Sequence, residues 1–277
     1  RSPMFVALNI DQNQLRDTDR DDNWKIDERV GFEHQLDNDY YRDNPWDRGH
    51  MARRVSAAHG PTKRAAQRAD EETFYYTNST LQHANLNRDE WLALEDWVLN
   101  LELAANGKIT SFSGPIYGDF DRSVTPTGRD LARVPAGFFK IVCFESVDSG
   151  NLDVRAFIIY QDEDAVRDRR GRRRFNNQNY QVTVSEIEDL TGLLFDDAIY
   201  NANPLVYTLP EGDARRGSMV TPERYEVGSP FEIINETDER QTIKDDIVDV
   251  FIAAAMVDAS GADATGEWIS IINLDTQ

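Results

Sequence analysis

One stretch, Asp47 to Trp97, limits what this chain can fold into. It opens on the tetrad Asp47-Arg48-Gly49-His50, passes through Thr73-Phe74-Tyr75-Tyr76-Thr77-Asn78, and closes on the run Leu86 to Trp97. The middle segment is β-branched and aromatic and reads as a strand. In the last, Trp91, Leu94, Val98 and Leu101 recur at i, i+3, i+7 and i+10, the buried stripe of a helix that Asn106-Gly107 would end. Trp91 is therefore expected in the core rather than as a stacking platform. Polar tetrad, basic loop, strand, connection and helix would let one histidine, one arginine, two asparagines and one glutamate converge.

These residue types suit hydrolysis of a phosphodiester. Histidine is the side chain whose unperturbed pKa lets it act as a general base on water near neutral pH, which singles out His50. Arg48 offers a planar fork for phosphate oxygens. Residues two apart on a strand share a face, so Arg48 and His50 can address one phosphate. Asn87 supplies a neutral hard oxygen suited to Mg²⁺, an ion that takes few protein ligands and keeps several waters. Glu95 lies two further steps along the i, i+4, i+8 ridge of Asn87 and Trp91. That is about 12 Å along a helix axis, so Glu95 is expected to hold the water shell of such an ion rather than bind it.

Asp47-Arg48-Gly49-His50, then Asn78 in Thr77-Asn78-Ser79, Leu86-Asn87-Arg88 and Trp91-Leu92-Ala93-Leu94-Glu95, resembles the DNA/RNA non-specific endonucleases, a family with the ββα-metal fold. The likeness continues through Ile109 to Tyr117, similar to the family's central strand with a Ser113-Gly114-Pro115 turn. Val134 to Val142 and the helix-like Val184 to Leu193 extend it. The resemblance implies an α+β fold: a ββα-metal nuclease core with a central antiparallel or mixed sheet flanked by helices. It implies a nuclease domain over 1–205, with 206–277 as an acidic linker and C-terminal β-rich extension similar to the start of a lamin-tail-like domain.

Carried over position by position, the resemblance implies a role for each residue. His50 would deprotonate the attacking water, and Arg48 would stabilise charge on the phosphate. Asn78 would support the geometry, Asn87 would be the metal ligand, and Glu95 would orient the metal's water. Arg53 and Arg54 are read as substrate-binding from charge, because they lie in the acid-free basic stretch directly after His50. The implied cofactor is Mg²⁺, with Mn²⁺ able to substitute, and the products carry 5′-phosphate ends. The implied partners are DNA and RNA, with a homodimer and a protein inhibitor or fused regulatory domain as further candidates. A catalytically silent or partner-inhibited nuclease-like domain, such as a toxin or defence effector, is the rival. Three places depart from the family pattern. Asp22-Asn23 precedes Trp24-Lys25-Ile26-Asp27 where an arginine is usual, leaving Arg20 as the nearest candidate. Arg53-Arg54 stands where a proline is common, and Leu81-Gln82 replaces Pro-Gln.

Charge cuts against nucleic acid at first sight, because the formal net charge is −20. Its distribution matters more than its sum. From Arg48 to Arg68 there are six Lys or Arg and no acid, and Arg167 to Arg174 carries six Arg against Asp168. Beyond residue 200 there are fifteen acids and five bases, half of the net charge. Residues 52–70 therefore read as a basic loop turning at His59-Gly60-Pro61 and facing a phosphate backbone. A zinc site of His50, His59 and His83 lacks cysteine and metal-type spacing.

Met4 to Ile10 reads as a first strand, 11–23 as an acidic solvated loop, and Ile109–Phe112, Phe138–Phe144 and Val154–Tyr160 as further strands. Asp148-Ser149-Gly150 reads as a turn. Asp162-Glu163-Asp164 reads as solvated, and the arginines of 167–174 as either a basic loop or a second phosphate contact. Residues 201–246 read as a long wrap or linker, and 247–257 with 267–273 as a two-stranded hairpin. Cys143 is the one cysteine and reads as a small buried hydrophobe. No apolar run is long enough for a membrane span. The opening Arg1 suggests a removed signal peptide or upstream domain, with secreted, periplasmic and partner-controlled cytoplasmic locations all open.

Overall fold

The computed structural model describes residues 2–119, 121–161, 166–167, 173–174, 179–205, 225–227, 232–235, 250–254 and 270–273. Fourteen strands among them are β1 (Val6–Asp11), β2 (Trp46–His50), β3 (Ser79–His83), β4 (Ala104–Ile116), β5 (Ser123–Val124), β6 (Ala132–Arg133), β7 (Gly137–Ser146), β8 (Leu152–Tyr160), β9 (Val166–Arg167), β10 (Arg173–Arg174), β11 (Asn179–Val182), β12 (Tyr225–Glu226), β13 (Val250–Ala254) and β14 (Ser270–Asn273). The α-helices are α1 (Arg54–Ala57), α2 (Lys63–Glu72), α3 (Ala84–Arg88), α4 (Glu90–Leu99), α5 (Val184–Thr191) and α6 (Asp197–Asn201).

Six strands form one antiparallel sheet in the order β1-β4-β7-β8-β11-β12. Its long central strands read as near-continuous apolar runs because both faces are covered. On β7, Phe139, Ile141 and Cys143 pack toward α5 and α6 with Ile187 and Ile199. Phe138 instead joins Met51, Leu86 and Trp91, while Val142 and Phe144 join Val98 and Leu101 of the α4 side. Helices therefore flank both faces of an α+β fold, and the alternation along β7 decides which side chain meets α4. Lys140 falls on the α4 face, in phase with Phe138 and Val142.

A separate pair, β2 with β3, runs straight into α3 and makes a compact ββα unit. His50 pairs opposite Ser79, and Asp47 opposite Gln82. Gly49 is required there, because a Cβ on it would lie 2.4 Å from the Gln82 Cβ.

Several expectations are corrected. The segment 73–78 is no strand: Thr73 closes α2 by donating its hydroxyl to the Asp70 carbonyl at 2.7 Å, and Tyr76–Asn78 is a 3₁₀ turn. Strand propensity there reflects aromatic burial, with Phe74 and Tyr76 packed inward and the true strand beginning at Ser79. The basic loop 52–70 holds two helices, and Thr62 caps the second by accepting from the Ala65 N–H at 3.1 Å. Lys, Arg, Ala, Gln and Glu are strong helix formers, a signal masked by their charge.

The Asn87 helix is not continuous with the Glu95 helix. Asp89 leaves the helical region at φ −125°, ψ −84°, so the two residues sit on separate helices and share no ridge. Asn106-Gly107 does not end α4, which stops at Leu99. Both residues take positive φ, 55° and 64°, at an irregularity inside β4. Ser113-Gly114-Pro115 likewise lies within β4, paired to Lys140, Phe139 and Phe138.

Other expectations hold. The hairpin turn at 148–150 joins β7 to β8, and Cys143 is buried and unpaired, its thiol pushed up to about 12 by desolvation. The acidic loop 11–23 includes a short 3₁₀ turn, Gln12–Gln14. The wrap 201–246 is tied to the core where it is described: β12 extends the sheet, and Ile233 packs with Phe144 and Phe157. The strands at 250–254 and 270–273 pair antiparallel. Asp162 to Asp164 lie outside the described residues, as does the arginine island apart from the β9–β10 pairing. Among the described residues no helix is long and apolar enough to cross a membrane.

Candidate active site

His50 ends β2, half-buried, between two aromatic rings. Its centroid lies 4.7 Å from that of Trp24 and 4.9 Å from that of Phe74, the latter edge-on at 89°. Its Nε2 is shielded and has no hydrogen-bond partner. Desolvation, followed by the nearby Arg20 and Arg54 cations, pushes its pKa down to about 3. The imidazole is therefore neutral near pH 7 and can accept a proton.

Asn78 clamps the strand end that carries His50. Its Oδ1 accepts from the Ala52 N–H at 2.8 Å, while its Nδ2 donates to the Ala52 and Thr73 carbonyls, both at 2.9 Å. The Asn78 carbonyl accepts from the Met51 N–H at 3.0 Å. Arg48, one residue before Gly49, donates to Asn38 Oδ1 at 2.6 Å, and its guanidinium lies 5.6 Å from the Trp24 ring. Arg48 and His50 thus share Trp24 as a wall.

Asn87 approaches from α3. Its Nδ2 donates to Asp47 Oδ2 at 3.0 Å, and Arg88 grips the same carboxylate through both oxygens at 2.8 and 2.7 Å. With the amide nitrogen so committed, Oδ1 is the Asn87 atom left for a hard cation. No cluster of three or more His, Cys, Asp or Glu suited to a metal occurs among the described residues. A single neutral oxygen fits an ion that keeps most of its water, and does not fit zinc.

Glu95 is buried rather than solvent-facing, at 7% exposure. It lies 3.7 Å from Arg53, whose shorter contact, 2.7 Å, is to Asp96. Arg54 is paired to Asp70 at 2.7 Å. For either arginine to contact substrate it has to give up these acids. His59 Nε2 donates to the Asn9 carbonyl, and His83 caps α3, so neither joins His50.

Sequence reasoning missed three participants. Trp24 and Phe74 wall the histidine, and Asp47 orients Asn87 across 40 residues of sequence. Nothing in local periodicity marks such a long-range pair.

Comparison with known proteins matches the chain to a family. The family model described as DNA/RNA non-specific endonuclease covers residues 1–202. The chain is 27% identical to human mitochondrial endonuclease G over 207 residues, covering 70% of this chain and 64% of that one. It is 28% identical over 214 residues to a nuclease of Nostoc sp., covering 74% and 69% respectively. The chain spans between 31% and 69% of the length of the curated relatives it matches. A solved structure described as the EndoG/EndoGI complex superposes with a TM-score of 0.54 at 24% identity, covering 73% of this chain and 82% of that one, and shows the same fold. The chain belongs to the DNA/RNA non-specific endonuclease family.

Proposed function

We propose that the chain is a divalent-metal-dependent endonuclease that hydrolyses DNA and RNA without sugar specificity. The observation that carries this reading is His50: a neutral imidazole with an unpartnered Nε2, held beside Arg48 on the strand that also supplies the Asp47 anchor of Asn87. His50 takes the proton of the attacking water. The water oxygen bonds to phosphorus, the bond to the 3′ oxygen breaks, that oxygen takes a proton from solvent water, and the products are a 5′-phosphate and a 3′-hydroxyl. Arg48 stabilises the charge that develops on the phosphate oxygens. Asn87 would hold Mg²⁺, or Mn²⁺ in its place, through Oδ1, and Glu95 would orient the ion's water shell. When bound, the ion supplies Lewis-acid polarisation of the phosphate.

Cleavage of supercoiled plasmid and of a structured RNA, with Mg²⁺ and with EDTA, tests the reading beside His50→Ala. Metal-dependent loss of both substrates, abolished in the variant, is expected. No cleavage by the parent over a wide range of salt and metal would instead favour a silent or partner-inhibited domain.

A further inference from the structure

A side chain from the middle of the large sheet shares a small buried cavity with Glu95. Lys140 is 4% exposed, on β7, and its backbone is paired on both sides, to Ser113 of β4 and Phe157 of β8. Its Nζ donates to Ser113 Oγ at 2.6 Å and lies 4.6 Å from the Trp91 ring centroid, one helical turn before Glu95. Lys140, Glu95, Arg53, Ser56 and Ser111 line one cavity of about 10 Å³. A buried ammonium with one neutral hydrogen-bond acceptor is costly unless a counter-charge lies close. Glu95 lines the same cavity and is the acid whose charge favours the ammonium.

The reverse dependence is as strong. Four groups bear on the Glu95 carboxylate: Lys140, Arg53, the Trp91 indole and the like-charged Asp96. Burial outweighs the pull of the two cations and leaves the carboxyl pushed up to about 7. Arg53 shares its charge with Asp96 at 2.7 Å and stands 3.7 Å from Glu95, which leaves Lys140 as the cation not otherwise neutralised by an acid. Burial pushes the Lys140 ammonium down, and Glu95 restores it. Lys140 also lies on a rigid strand held from both edges, whereas Glu95 belongs to a short helix. The strand therefore acts as the reference frame for the carboxylate.

We infer that Lys140 is a positioning residue for catalysis: from the central sheet, across the cavity the two share, its ammonium orients the Glu95 carboxylate. The inference rests on the role proposed above for Glu95, and its test separates the two. Binding of Mn²⁺ alone, without nucleic acid, is measured by calorimetry for the full chain and for Glu95→Gln, Lys140→Met, the double variant and Ser113→Ala. Thermal melts accompany each titration. Both single variants are expected to weaken Mn²⁺ about tenfold, and the double variant no further than the weaker single. The acid limb of kcat/KM is expected to move to higher pH in Lys140→Met, because Glu95 loses a cation that favours its charged form.

Wild-type Mn²⁺ affinity in Lys140→Met with weakened affinity in Glu95→Gln would overturn the inference and leave the role of Glu95 standing. Wild-type affinity in Glu95→Gln would overturn both. Strictly additive losses in the double variant would make Lys140 a structural residue only. If Lys140→Met does not fold, Ser113→Ala decides: it keeps the charge and removes the anchor. Weakened Mn²⁺ binding with an unshifted melting temperature supports the inference, and unchanged binding overturns it.

Discussion

The Asn87 side-chain amide donates to Asp47 at 3.0 Å, across the step from strand β2 to helix α3. Asp47 is itself held by a two-pronged contact from Arg88, so the acceptor cannot swing away. The pair decides which end of the Asn87 amide faces outward. Asp47→Asn would place an amide where a carboxylate accepts from three N–H groups. Affinity for Mn²⁺ is expected to fall about 10- to 100-fold, with the fold retained. Calorimetric titration reads this directly, and an unchanged constant would remove Asp47 as the orienting group.

His50 is expected to affect chemistry far more than stability at neutral pH. Replacing it with Gln keeps much of its volume between Trp24 and Phe74 while removing the base. Turnover on plasmid is expected to drop by about 10²- to 10⁴-fold, with KM changing little. Steady-state cleavage with saturating Mg²⁺ checks it.

The same histidine makes stability depend on pH. Its folded pKa, about 3, lies below its ordinary 6.5, so between these values the unfolded chain binds a proton that the folded chain refuses. Its contribution is complete above pH 6.5 and is lost as the pH falls toward 3. Urea melts at several pH values should show a shallower acid decline in His50→Gln than in the parent. Parallel curves would mean that His50 titrates normally in the folded state.

Asn78→Ala removes three side-chain hydrogen bonds to buried backbone groups of Thr73 and Ala52. A loss of about 2–4 kcal/mol is expected, measured by chemical denaturation. Activity of the folded fraction should fall too, since the Ala52 anchor is two residues from His50.

Gly49→Ala tests the packing between Arg48 and His50. The new methyl group would sit within 2.3 Å of the Gln82 amide oxygen on the neighbouring strand. Overpacking of this kind costs about 1–3 kcal/mol, and melting temperature should fall accordingly. An unaltered melt would show that Gln82 has room to turn aside.

Sequence alone determined the family and much of the frame. The tetrad 47–50, Asn78, Asn87 and Glu95 stood out because together they resemble the family's pattern, not because helical spacing joins them. Strands β7 and β8 and the middle of β4 were legible from their β-branched and aromatic residues, whereas the two ends of β4 were not. Charge hid α2, since a Lys- and Arg-rich segment reads as solvent-facing whether or not it is helical. Aromatic burial mimicked a strand at 73–78. Only the tertiary structure decided the break at Asp89, which puts Asn87 and Glu95 on separate helices and against different partners. It also decided that Asp47 meets Asn87, that Trp24 walls His50, and that Lys140 and Glu95 line one cavity. Each of these contacts joins residues far apart in sequence, and the burial that gives each its energy exists only once the chain has closed around it.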